Sequence, residues 1–107
     1  MIEPILEAER LLRYGLLDRA EALYRNVAEA DPSNGFALVG LASVAAERGD
    51  EEAAYRYSVE AVRVDPANGV ARALAARTAE LLAVQGKPVE PTATPGRGRL
   101  LKRLRRR

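Results

Sequence analysis

The chain has no cysteine, no histidine and no tryptophan, and its 107 residues include a single phenylalanine and a single methionine. Without cysteine there is no disulfide, thiolate ligand or thiol nucleophile. Without histidine the commonest metal ligand is missing, and so is the side chain that titrates near neutrality. Zinc centres and histidine acid–base chemistry are therefore excluded. No apolar run approaches the roughly 18 residues that a membrane span needs. Met1-Ile2-Glu3-Pro4 carries Glu where a secretory leader carries basic residues, so the expected compartment is cytoplasmic. At this length there is room for one small core.

The polar groups that remain do not assemble a catalytic pattern. Asp50, Glu51 and Glu52 cluster at a turn, where acidic side chains cap a helix and complement its dipole. Gly86-Lys87 lacks the upstream glycine and the following Ser or Thr of a phosphate-binding loop, and Gly96-Arg97-Gly98 opens no glycine-rich helix start. With no base, nucleophile or metal constellation, the chain is not expected to be an enzyme, to hold a cofactor or to act on a small-molecule substrate.

What is present is a repeat. Asp31-Pro32-Ser33-Asn34-Gly35 returns as Asp65-Pro66-Ala67-Asn68-Gly69, 34 residues on. The same offset aligns Gly15 with Gly49, Asp18 with Glu52 and Ala20 with Ala54. Ala8, Ala42 and Ala76 are equally spaced, as are Leu11, Ala45 and Ala79, so a third copy begins on schedule and then stops halfway. A fixed period of this length is the mark of stacked supersecondary units.

Helical spacing of apolar residues and the usual start and stop signals predict an all-α chain of five antiparallel helices, over about 4–14, 18–30, 34–48, 51–64 and 69–85. Pro4 suits a first turn. Gly15 suits the C′ position that ends a helix. Asp18 and Asn34 are read as N-caps of the second and third helices, and Asn68 as that of the fifth. Pro32 and Pro66 close the second and fourth helices, because proline disfavours helical backbone at the residue before it.

Charge divides the chain at the same place as the pattern. Residues 1–85 carry nine Arg and no Lys against fourteen acidic residues; residues 86–107 carry two Lys and six Arg against Glu90 alone. An acidic helical body, 1–85, is thus followed by a basic Pro/Gly-rich segment, 86–107, expected to be a flexible, disordered tail.

In these residues the chain resembles the tetratricopeptide repeats, units of 34 residues built as helix-turn-helix pairs. Ala8 and Ala42 stand where paired helices cross, Gly15 and Gly49 at the turns, Ala20 and Ala54 opposite, with an aromatic at Tyr24 and Pro32 and Pro66 closing each unit. The sequence departs from the pattern where Pro4 and Leu38 replace a large aromatic, where Ser58 aligns with Tyr24, and where Ala83 replaces a third turn glycine. The resemblance implies an α-solenoid of two full repeats and a capping helix. It also implies that the first helix of each unit lines a concave groove: Ile2, Ile5, Glu9, Leu12 and Arg13; Phe36, Val39, Gly40, Ser43 and Glu47; Val70, Ala73, Leu74 and Arg77. Family members that clamp a C-terminal carboxylate use Lys, Arg and Asn there. Ile5, Glu9, Gly40, Val70 and Leu74 do not suit that role.

The expected function is a non-catalytic protein-interaction adaptor whose apolar groove takes a helical or extended peptide, or a second subunit. A stack of two and a half units rich in Ala has a small core, so marginal stability or self-association as a homodimer is expected. The alternative reading rests on the tail. Arg97, Arg99, Lys102, Arg103, Arg105, Arg106 and Arg107 would bind a polyanion, either nucleic acid phosphates or an anionic membrane surface. Leu100, Leu101 and Leu104 would share one side of that segment if it were helical, and are also suited to docking in the groove.

Overall fold

The computed structural model describes residues 2–89, and among these the chain is all helical, with no strand. Five helices follow one another: α1 (Ile2–Arg13), α2 (Leu17–Ala30), α3 (Gly35–Glu47), α4 (Glu51–Val64) and α5 (Gly69–Val84). Each lies within two residues of its expected span. The basic segment beyond residue 89 lies outside the described residues.

The helix ends have local causes. Gly15, Gly49 and Gly86 all adopt φ 78°, the left-handed conformation that only glycine takes without steric cost. In each case two backbone bonds close the helix. The glycine N–H donates to the carbonyl three residues back, and the next N–H donates to the carbonyl five residues back: Leu16 to Leu11, Asp50 to Ala45, Lys87 to Leu82. Ala83, which occupies the turn position at the 34-residue offset from Gly49, stays helical, and α5 continues to the next available glycine. At the other ends, the Asn34, Asp50 and Asn68 side chains each accept the backbone N–H of the residue three ahead at 3.1 Å.

One expected cap is absent. Asp18 does not cap α2, because the helix restarts two residues after Gly15, just as α4 restarts two residues after Gly49. The cap position therefore falls on Leu16, which has no oxygen to offer. Asp18 sits inside the first turn and pairs with Arg48, which also donates to Glu21 at 2.9 Å. Lys87 reaches Glu52, the counterpart of Asp18, at 2.9 Å. In both units an acid opening the second helix is thus joined to a cation at the end of the next unit's first helix.

Successive helices pack on one another, and α1 also touches α3, as α3 touches α5. Nine of the sixteen buried apolar side chains among the described residues are alanine, so the helices approach closely while burying little area per residue. The largest fully buried side chain is Tyr24, packed with Ile5, Ala8, Ala20, Val27, Ala37, Leu41 and Val44. Its ring lies over Gly40 so tightly that a Cβ there would fall 2.2 Å from a ring carbon. Tyr57, half-buried on α4, packs against this cluster and against both smaller ones, around Leu38 and around Ala45. The buried hydroxyls of Ser58 and Thr78 donate back to the carbonyls of Ala54 and Leu74, at 2.6 and 2.7 Å. No buried side-chain polar atom among the described residues is left without a partner.

Candidate interaction surface

The contacts of α1 with α3 and of α3 with α5 bring the first helix of each unit side by side, and every residue of the expected groove lies on one of these three helices. Its first row is open to solvent. Ile2, Phe36 and Val70 occupy the same position in their units, 34 residues apart, and are 72%, 69% and 61% exposed. Large apolar side chains left in water at three equivalent positions form a repeated feature, unlike a single exposed leucine.

The remaining positions divide by depth. Leu12, Val39, Ser43 and Leu74 are half-buried; Glu9, Arg13, Glu47, Ala73 and Arg77 are exposed. Ile5 is buried in the first cluster, and Gly40 lies beneath the Tyr24 ring, so neither presents a side chain to a ligand. Gly40 belongs to the packing between α2 and α3, where the ring needs backbone with nothing on it. Its placement in the groove by resemblance thus becomes a close-approach site.

Sequence reasoning passed over Leu6, 58% exposed on α1 between Ile2 and Arg10, and the outer residues Leu81 and Val84 of α5. The signal for α5 was available: Ala, Leu or Val stands on every side of the helix, more apolar surface than two neighbours can cover.

The surface carries both signs of charge. Glu9, Arg13, Glu47 and Arg77 make no salt bridge within the described residues. No single-sign field therefore selects an anionic or cationic ligand. The Tyr24 phenol is pushed up to about 12, first by burial and then by the negative charge of Glu9, with Arg13 opposing, so the buried ring stays neutral beneath this surface. The tail cations Arg97, Arg99, Lys102, Arg103, Arg105, Arg106 and Arg107 lie outside the described residues.

No helix among the described residues is long and apolar enough to cross a membrane, and no group of three or more acidic side chains there is arranged to hold a metal ion. Comparison with protein-family models, with curated proteins and with solved structures finds no match.

Proposed function

We propose that the chain is a tetratricopeptide-like interaction module that takes the apolar face of a partner peptide along the row Ile2, Phe36 and Val70. The observation that carries this reading is the exposure of those three residues at one position of the repeat, on helices that touch in sequence. A stripe of this kind, with mixed charges around it, matches an amphipathic helix laid apolar face down, whose polar face remains in water. The adaptor role follows from the same reading.

The experiment is selection of displayed random peptides against the full-length chain. Enriched sequences are expected to carry apolar residues at helical spacing. Phe36→Asp should weaken the best of them at least about thirtyfold, as loss of a central aromatic anchor does, while leaving the helical circular dichroism and the melting temperature unchanged. Enriched peptides that are acidic, and that bind Phe36→Asp equally well, would overturn the reading and place the contact on the basic tail.

A further inference from the structure

Among the described residues, nothing covers the face of α5 turned away from the other helices. In the two full units Ala8 and Ala42 are completely buried, and the helix that restarts after the turn glycine packs on the one that carries them. Their counterpart Ala76 is exposed, because Lys87–Val89, which follow the third turn glycine, are not helical. α5 meets its neighbours through Ala71, Thr78 and Leu82, which are buried. On the opposite side Ala73, Ala76, Arg77, Glu80, Leu81 and Val84 are exposed, Val84 to 87%.

This face is complementary to itself. A second α5 laid antiparallel, with the two-fold axis between Thr78 and Ala79, sets each residue against the one equidistant on the other side. Ala73 then faces Val84, and Arg77 faces Glu80, while Ala76 and Leu81 lie on the two flanks of the face. Small meets large and opposite charges meet, each pair repeated by symmetry. A parallel pairing would instead set Arg77 on Arg77 and Glu80 on Glu80. Neither Arg77 nor Glu80 has a salt-bridge partner within the described residues.

We infer that a second copy of this chain covers α5, giving a two-fold homodimer through an antiparallel α5 pair. The charge pattern favours this occupant over the chain's own basic tail, which would bring cations against Arg72 and Arg77. One helix pair buries less than the roughly 1,200 Å² of a standard stable interface, so association in the micromolar range is expected. The inference goes beyond the peptide row: Ala73 and Arg77 border both surfaces, but Glu80 and Val84 lie outside the expected groove, and Phe36 takes no part.

Sedimentation of the full chain across a concentration series should show a monomer–dimer equilibrium. Arg77→Glu and Glu80→Arg should each raise its midpoint at least about tenfold by setting like charges together, and the double variant Arg77→Glu/Glu80→Arg should return it to near the wild-type value. A second measurement uses the absence of native cysteine. In Ala73→Cys/Val84→Cys the two thiols of one copy are about 16 Å apart along the helix, beyond disulfide reach, so oxidation should yield a covalent dimer; Ala73→Cys alone should not. A chain that stays monomeric at several hundred micromolar overturns the proposal. So does a dimer that dissociates with Phe36→Asp yet ignores both charge reversals, which would assign self-association to the peptide row.

Discussion

Tyr24 and Gly40 show how one residue pair sets the distance between two helices. Glycine inside a helix costs about 1 kcal/mol relative to alanine, and at Gly40 that cost is offset by letting the Tyr24 ring lie directly on the α3 backbone. At the 34-residue offset the two positions hold Ser58 and Leu74, so the small and the large residue exchange places along the sequence. Gly40→Ala should therefore destabilise the protein by about 1–3 kcal/mol despite its better helix propensity, since the buried ring has nowhere to move. Tyr24→Ser/Gly40→Leu, which copies the second pair, should be more stable than either single variant. Urea denaturation of the four proteins measures this coupling, and simple additivity would dissociate the two residues.

At the scale of the element, the three turns share one closing motif but not one opening motif. Leu16 and Asp50 occupy the same place after the turn glycine with similar backbone angles, φ −84° and ψ 69° against φ −94° and ψ 79°. Only Asp50 accepts the N–H three residues on. Leu16 is partly exposed and lies outside the three buried clusters, so Leu16→Asp should cap α2 as Asp50 caps α4 and raise stability by about 1 kcal/mol. Thermal unfolding of the variant would show the gain; a lower melting temperature would mean that the Leu16 side chain packs more than its exposure indicates. The sequence marks the caps at Asn34 and Asn68 plainly because a short polar residue stands directly before an apolar run. It misleads at Asp18, where a good capping residue lies two positions too late. The turn glycine sets the restart, and the side chain has no say in it.

Across the whole molecule, stability is spread thinly over interfaces made mostly of alanine. For the 88 described residues a typical stability is about 4–13 kcal/mol, so any side chain shared between interfaces carries a large fraction. Tyr57 is such a residue, packed against all three clusters although only half-buried. Tyr57→Ala should cost about 2–4 kcal/mol. Because it loosens one unit from the next, it should also broaden the unfolding transition, as nearest-neighbour stacks do when an interface weakens. Scanning calorimetry would show both effects, and a sharp transition at lower temperature would mean that the helices unfold as one closed core.

The sequence by itself determined the number of helices, nearly all of their ends and their repetition, because these depend on local chemistry. A proline, a turn glycine or a capping amide acts within five residues of where it stands. It could not say which groove positions stay in water. Ile5 and Ile2 are both isoleucine on one helix, and only the arrival of α2 and α3 buries the first and leaves the second exposed. Gly40 likewise reads as an open position until Tyr24, sixteen residues earlier, is folded onto it. The uncovered face of α5 was decided at the same level: alanine at position 76 is identical to alanine at 8 and 42, and what distinguishes it is that no following helix packs on it among the described residues. Burial depends on which elements meet, and that is settled when the chain is packed.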